Sequence, residues 1–191
     1  KLEDEPSIET HNLHAAYNGL RPAAPDQSLL RAWAAGETGL PFVDACMRCL
    51  SATGWMNFRM RAMLMAVASC HLWLDWRRPG ELLARLFTEY EPGILWPQVQ
   101  MQSGTTGINT IRIYNPVKQG HDQASDGSFI RRWVPELSDV PSEHLHEPWT
   151  WDGASGVLEK TYPLPIIDHL QAARDARQKV WAIRKGPSYR Q

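Results

Sequence analysis

The sequence predicts an all-α protein, and three observations carry this prediction. Apolar residues recur at helical spacing in several segments, whereas no stretch has the alternating pattern of a strand. The run from Met60 to Leu74 is apolar on nearly every side, which is typical of a buried central helix. The length of 191 residues suits one compact domain with a sizeable core.

The predicted helices follow an irregular lead-in. Residues 1–28 are rich in acids and prolines and show little periodicity, so we expect them to lead into a helical domain spanning 29–191. A short helix from Leu29 to Ala35 ends at a glycine. The next helix begins near Pro41, since proline suits a first helical turn, and ends at Thr53-Gly54.

The middle of the chain holds the strongest helical signal. We predict a central helix from Trp55 to about Trp76, which is too short and too flanked by arginines to cross a membrane. Arg77–Gly80 is typical of a turn. Glu81–Glu91 is amphipathic, and Pro92-Gly93 is expected to end it. Residues 98–111 predict a loop around a short helix.

The last third is expected to be less regular. Residues 112–127 show no periodicity, and Phe129–Leu137 predicts a short helix or turn with two arginines. Residues 138–164 are rich in proline, which favours loops. A long, charged helix from Ile166 to about Lys185 completes the predicted domain.

Charge and cysteine content bound the function. With 20 Lys and Arg against 21 Asp and Glu, the net charge is −1 and the pI is near 6.7. These values exclude a protein that binds nucleic acid by charge alone, but leave a local basic patch open. Three cysteines are too few for a disulfide framework, and the first ten residues lack a signal-like apolar core. We therefore expect a cytoplasmic protein with no membrane association.

The cysteines raise the question of a metal site. Cys46 and Cys49, together with Cys70-His71, offer the side chains of a zinc site. Both groups fall inside predicted helices, without the turn that zinc-binding knuckles use. We therefore expect no metal, and favour buried, apolar cysteines.

Two pairs of charged residues need partners. Arg59 and Arg61 lie about 200° apart around the predicted central helix, so they face different partners. Glu89 and Glu91 lie at the predicted end of a helix, where carboxylates oppose the helix dipole. We favour a pair between Arg61 and one of these acids, because a buried guanidinium is costly alone. The alternatives are structural ion pairs for both arginines and solvated acids.

Several motifs resemble one protein family, in that family's order. They are TGLPFVDACMRCL, TGWM, RIYNPVKQG, IRRWVPEL and HEPW, at residues 38–50, 53–56, 112–120, 130–137 and 146–149. Over roughly residues 30–185 the chain resembles the flavin-binding domain of the photolyase/cryptochrome family, in a divergent bacterial branch.

This resemblance implies a multi-helix domain that binds FAD. It also implies light-driven electron transfer from reduced flavin to a pyrimidine dimer flipped out of damaged DNA. Members of the family have an N-terminal α/β antenna domain and an upstream helical segment that holds the flavin phosphates. We expect both to be absent from these residues, so that the domain is N-terminally truncated and inactive in isolation.

The resemblance further assigns flavin-binding residues. Arg61 matches the family's flavin-facing arginine, and Glu89 and Glu91 fall where the family has two aspartates beside the isoalloxazine ring. Tyr90, between these acids, joins the same group. Leu95 stands where an asparagine near the flavin N5 is expected, which implies altered control of flavin protonation.

The residues that the resemblance places at DNA are Asn57, Phe58, Arg59, Ala62, Arg131 and Arg132. Arg59 matches an arginine near the DNA backbone. Asn57 and Phe58 occupy the family's usual His-Asn pair, and Ala62 replaces a common methionine of the lesion pocket. These departures imply altered recognition of the dimer.

Tryptophans are the third group that the resemblance concerns. Trp76 matches the middle member of the family's electron relay, whereas Val99 and Ala23 occupy the two outer positions. The chain has nine tryptophans, several times ordinary usage, so Trp73 and Trp96 are candidates to complete the relay. On one continuous helix, Trp76 would lie about 22 Å along the axis from Arg61. A tryptophan-rich core is the alternative.

Two functions are therefore expected. The first is the catalytic domain of a deoxyribodipyrimidine photolyase, a lyase that repairs DNA. The alternative is a cryptochrome-like blue-light photoreceptor, or a flavin-binding module without repair activity. The altered lesion pocket favours the second function, whereas Arg59, Arg131 and Arg132 favour contact with DNA.

Overall fold

The computed structural model describes residues 5–189, and these fold into packed helices. Its α-helices are α1 Gln27–Ala35, α2 Pro41–Thr53, α3 Phe58–Ala66, α4 Arg77–Leu86, α5 Pro92–Ser103, α6 Pro116–Gln123, α7 Ser128–Trp133 and α8 His169–Lys185. Short 3-10 turns cover parts of the connections, and the strand-like pairing within 5–189 is a single bridge. The all-α prediction is confirmed. No helix in this described range is long and apolar enough to cross a membrane.

A polar junction at the start of α2 joins distant parts of the chain. Asp44 is fully buried, and its Oδ1 accepts hydrogen bonds from Thr38 N at 2.8 Å and Thr38 Oγ1 at 2.6 Å. Its Oδ2 accepts from Gly39 N at 3.0 Å and from the Tyr162 hydroxyl. Gly39 has a φ of +75°, and a Cβ there would lie 2.3 Å from Leu164 O, so glycine is required. We call Thr38, Gly39, Asp44 and Tyr162 the Asp44 junction.

The lead-in is irregular, as predicted, but it is tied to the core. The fully buried amide of Gln100, on α5, donates to Ile8 O at 2.7 Å and to His11 O at 2.6 Å. Its oxygen accepts from Leu13 N and Thr105 Oγ1, both at 2.9 Å. These four hydrogen bonds use the full capacity of one amide. We call this arrangement the Gln100 clamp.

The central helix is shorter than predicted. Asn57 caps its start by accepting from Met60 N, and α3 continues after Ala66 as a π-helical turn over Val67–His71. The chain then breaks, and Trp73 adopts a φ of +54°. Buried Arg21 donates to Ser69 O at 2.7 Å, so a cation from the lead-in satisfies a carbonyl where the helix ends. The sequence pattern could not show this long-range contact.

The segment after this break also differs from the prediction. Arg77–Gly80, expected as a turn, forms the first turn of α4, and this helix ends at Leu86 rather than Glu91. Gly80 lies against α5, where a Cβ would come within 2.7 Å of the Trp96 ring. Glycine here allows close helix packing, and so it does not mark a turn.

Two further helices begin at prolines, one where the sequence predicted the end of a helix and one in a segment predicted to be irregular. Pro92 is the first residue of α5, a helix that covers part of the predicted loop at 98–111. Pro116 is the first residue of α6, within the segment 112–127 that was predicted to be irregular. In both cases the preceding residue caps the helix, and proline at the first position is pre-organised for it.

Candidate functional site

The predicted pair between Arg61 and an acid is present. Arg61 Nη2 lies 3.7 Å from Glu89 Oε2, with the arginine side chain 17% exposed and the glutamate 68% exposed. Arg61 Nε donates to Met56 O at 2.7 Å, and the guanidinium lies 4.2 Å from the centroid of the Phe87 ring. The guanidinium is thus fixed on one side and open towards Glu89.

The two acids have different roles in the fold. Glu89 lies between α4 and α5 rather than at the end of a helix. Glu91 is the N-cap of α5, where its Oε1 accepts from Gly93 N at 3.1 Å. The predicted opposition to a helix dipole is therefore wrong: the Glu91 carboxylate lies at the positive end of α5, where it is favourable.

Large apolar side chains are exposed on the two segments that this pair joins. They are Trp55, Phe58, Tyr90 and Ile94, which are 42–61% exposed. The segments are held together because Thr88 N donates to Gly54 O at 3.0 Å and Gln98 Nε2 donates to Phe58 O at 3.3 Å. We call Arg61, Glu89 and these four side chains the Arg61 face. Exposed large apolar side chains are typical of binding surfaces.

The Arg61 face fits a flavin by its chemistry. Within residues 5–189, Nε is the one guanidinium nitrogen of Arg61 with a hydrogen bond, so its other N–H groups can face a polar ring edge. The aromatic side chains suit a flat ring, and Tyr90 is among them. Leu95, predicted near the flavin, is 5% exposed and packs in the core, as does Val99. The residues present therefore fit FAD mainly through Arg61, Glu89 and the exposed apolar side chains of the Arg61 face.

A basic cleft begins beside this face. Phe58 and Arg59 line an open cleft of ≈ 580 Å³ together with Arg112, Tyr114 and Lys118. The last three come from the motif RIYNPVKQG, to which the sequence analysis assigns no site residue. The signal was present, because cations alternating with an aromatic residue are typical of nucleic-acid grooves. Two predicted DNA residues are placed differently: Asn57 caps α3, and Ala62 is buried.

The two arginines of α7 lie in unlike surroundings. Arg131 donates from Nη1 to Ser138 O at 2.6 Å and from Nη2 to Val140 O at 2.9 Å. Its guanidinium thus holds the chain that follows α7. Arg132 is exposed, with its guanidinium 5.3 Å from the Trp133 ring centroid. Of the two predicted DNA contacts, Arg132 is the one that the fold leaves accessible.

The structure brings together two of the three tryptophans that are predicted for an electron relay. The rings of Trp76 and Trp96 lie edge to face, with centroids 6.0 Å apart, and Trp96 Nε1 donates to Tyr90 OH at 3.1 Å. Because the chain breaks before Trp76, the estimate of 22 Å along one helix does not apply. Trp73 does not take part in this ring contact. Arg21 and Lys179 each lie within 4.6 Å of its ring centroid. These two cations disfavour a positive charge on the Trp73 ring more than the single Arg77 guanidinium does at Trp76, because Arg77 is paired with Asp75.

The cysteines are free thiols. Cys46 and Cys70 are buried, and burial raises the pKa of both. Within residues 5–189, no three histidine, cysteine or acidic side chains are grouped as metal ligands. These thiols pack as small apolar side chains.

Comparison with known proteins places this fold in a family. The description "FAD binding domain of DNA photolyase" matches residues 1–182. The deoxyribodipyrimidine photo-lyase of Escherichia coli K12 is 36% identical over 186 residues, which are 95% of this chain and 39% of that protein. Cryptochrome DASH of Danio rerio is 34% identical over 187 residues, which are 90% of this chain and 36% of that protein.

A solved structure agrees with these relatives. A bacterial class III photolyase from Agrobacterium tumefaciens superposes with a TM-score of 0.87 at 32% identity, covering 97% of this chain and 40% of that one. The chain therefore spans about two fifths of the length of these proteins. The matching sequence profile, the relatives and the helical fold agree: the chain belongs to the photolyase/cryptochrome family, within its helical FAD-binding domain.

Proposed function

We propose that the chain forms the catalytic part of a DNA photolyase, acting in the full-length protein on pyrimidine dimers in damaged DNA. The observation that carries this proposal is the position of the Arg61–Glu89 pair in an exposed apolar face beside a basic cleft. A flavin and a flipped base need these two surfaces side by side.

The Arg61 face binds and orients the cofactor. The Arg61 guanidinium is already held by Met56 O and Phe87, so it offers its remaining N–H groups with little loss of side-chain freedom. The aromatic side chains of the Arg61 face exclude water from the flavin ring. Bound at this face, FAD in its reduced, light-excited form would supply the electron that splits the cyclobutane ring of the dimer.

The basic cleft positions the DNA. Arg59 and Arg112 are exposed and can contact phosphates, while Phe58, which is 61% exposed, can stack on a base. Stacking tolerates any base, and so the flipped dimer is selected by its ease of leaving the duplex. This assignment uses residues from α3 and from the segment before α6.

Electron supply to the cofactor involves Trp76 and Trp96. Their edge-to-face contact provides a short path, whereas Trp73 is separated from it and lies beside two cations. We therefore expect Trp76→Phe and Trp96→Phe to slow flavin photoreduction, and Trp73→Phe to leave it unchanged while lowering the melting temperature. Slowing by Trp73→Phe alone would contradict this route.

A repair assay tests the proposed activity. The full-length protein is illuminated with an oligonucleotide that carries a cyclobutane dimer, and the repaired strand is measured. We expect repair, and about tenfold weaker DNA binding for Arg59→Ala at low salt, since each phosphate contact contributes to affinity. Arg85→Ala, an exposed arginine on α4, is the matched control. Absence of repair with FAD bound would overturn the proposal.

One observation favours the photoreceptor as a second candidate. Asn57 uses its side-chain oxygen to cap α3, and Ala62 is 1% exposed, so of the three residues predicted for the lesion pocket only Phe58 lines the cleft. A cryptochrome-like protein would bind FAD and respond to blue light without repairing the dimer. The same assay distinguishes the two, since a photoreceptor shows a light-dependent flavin spectrum and no repaired strand.

A further inference from the structure

The indole N–H of Trp76 has one partner, and that partner comes from the lead-in. Trp76 is 1% exposed, and its Nε1 donates to Asn12 Oδ1 at 2.7 Å. The Asn12 amide is itself fixed, because its Nδ2 donates to Asn18 Oδ1 at 2.9 Å. The orientation of the Asn12 oxygen towards the indole is therefore set by a second side chain.

The charged groups near Trp76 do not offer a base to this N–H. The Arg77 guanidinium lies 4.6 Å from the ring centroid, and its Nη1 donates to both Asp75 oxygens at 3.0 and 2.9 Å. Asp75 is thus paired with Arg77 rather than with the indole. Among residues 5–189, the acceptor of the Trp76 proton is a neutral amide oxygen, which binds protons only very weakly.

We infer that Asn12 is a positioning residue that keeps the proton on Trp76 while an electron passes through it. The inference rests on the proposed electron route. When photoexcited flavin has oxidised Trp96, one electron moves from Trp76 to Trp96. Trp96 becomes neutral, and Trp76 carries the positive charge with its N–H bond intact. No bond forms or breaks, so the exchange is reversible and independent of proton movement.

A carboxylate in place of the amide would change this step. It would take the Nε1 proton of oxidised Trp76, leaving a neutral indolyl radical beside a carboxylic acid. The radical could then be reduced only if the proton returned to Nε1, so the oxidised state would persist on Trp76. The choice between Asn and Asp at position 12 therefore decides whether Trp76 passes a charge or stores it.

Transient absorption of the full-length, FAD-loaded protein tests this inference. In the wild type, the lifetime of oxidised tryptophan should be the same in H2O and D2O. In Asn12→Asp, we expect a lifetime longer by about tenfold or more, since a positioned base accelerates proton transfer by on the order of 10²-fold. This variant should also respond to D2O. Asn18→Asp is the matched control, because it adds the same charge one hydrogen bond further from the indole and should behave as the wild type.

A second measurement needs no flavin. In the protein without cofactor, the indole N–H resonance of Trp76, identified by its loss in Trp76→Phe, should be protected from exchange and should lose that protection in Asn12→Leu. If Asn12→Asp does not fold, Asn12→His supplies the base and Asn12→Ser a weakly basic hydroxyl, and only the first should trap the charge.

The outcomes separate the two proposals. Unchanged photoreduction in Trp76→Phe overturns the electron route and this inference with it. Slowed photoreduction in Trp76→Phe, with wild-type lifetimes in both Asn12→Asp and Asn12→His, overturns the role of Asn12 alone.

Discussion

The Asp44 junction and the Arg61 face are both built around one charged side chain, but they treat it in opposite ways. Asp44 is fully buried and accepts four hydrogen bonds from the chain itself. Arg61 makes one hydrogen bond among the described residues and lies 3.7 Å from an acid that is mostly exposed. The folded chain itself fills the hydrogen-bonding capacity of the Asp44 carboxylate. The Arg61 guanidinium, among the described residues, keeps unused N–H groups that a ligand can bind.

This difference shows how to distinguish side chains that stabilise the fold from side chains that bind a ligand. Where every polar atom of a side chain is satisfied internally, its removal leaves partners unpaired and costs stability. Where donors remain open beside exposed aromatic rings, removal should cost affinity instead. Substitutions at the two sites should therefore differ in how much they change stability and how much they change binding.

Removing the carboxylate of the Asp44 junction should have the largest effect. Asp44→Ala leaves Thr38, Gly39 and Tyr162 without their shared acceptor, and we expect a loss of about 3 kcal/mol or more in the free energy of unfolding. Urea unfolding monitored by circular dichroism measures it. The control is Asp122→Ala, whose exposed i,i+4 pair with Lys118 should contribute less than about 0.5 kcal/mol. Equal losses in both variants would refute the comparison.

The buried imidazole of His71 extends the comparison between Asp44 and Arg61 to a basic side chain. Burial lowers the pKa of His71 to about 4, from the ordinary value of 6.5. Between these values the unfolded chain binds more protons than the folded one, so stability falls as pH decreases from 6.5 to 4. The expected loss is about 3 kcal/mol across this window. Burial also lowers the pKa of His146 to about 4, so His71→Gln should reduce but not abolish the pH dependence of the melting temperature between pH 6.5 and 4. An unchanged slope would contradict the assignment.

Arg61→Ala should separate binding from stability. Because Glu89 is 68% exposed, its loss of a partner is screened by water, and we expect only about 1 kcal/mol of destabilisation. The FAD content of the purified full-length protein should nevertheless fall strongly. Arg78→Ala, which removes another exposed arginine–glutamate pair, should retain the cofactor. Full FAD content in Arg61→Ala would mean that the Arg61 face is not the flavin site.

Phe58→Ala should change stability least. A side chain that is 61% exposed loses little burial, so the unfolding free energy should stay within about 0.5 kcal/mol. Affinity for dimer-containing DNA should fall, since stacking on one aromatic residue contributes about 1–3 kcal/mol. Trp181→Ala, also exposed but on α8, serves as control in the same titration. Equal DNA affinity in both variants would count against the basic cleft.

Much of the fold could be predicted from local patterns. The buried central helix follows from its apolar residues, and the pair of Arg61 with Glu89 follows from the cost of an isolated buried cation. The start of α2 at Pro41 also follows from the residues alone. These features depend on the residue pattern within one helix, or on a buried cation for which only a few acidic residues can be the partner.

The misassigned segments depend on contacts between distant residues. Gly80 was interpreted as part of a turn because its packing against Trp96 is invisible in the local pattern. Pro92 was interpreted as an end because the capping role of Glu91 places a helix after it rather than before it. Arg112 and Asn12 gained their significance only when folding brought them to the cleft and to Trp76.

The Gln100 clamp has a consequence for how the domain opens. Irregular segments usually exchange their amide hydrogens early, because they open without the rest of the fold. Here the amide of Leu13 is bound to the Gln100 side chain, and the amide of His14 is bound to Thr105 O at 3.1 Å. Both should be released only when α5, or the Thr105 segment that directly follows it, opens. The lead-in and α5 would then form one cooperative exchange unit, although 87 positions separate Leu13 from Gln100 in the chain.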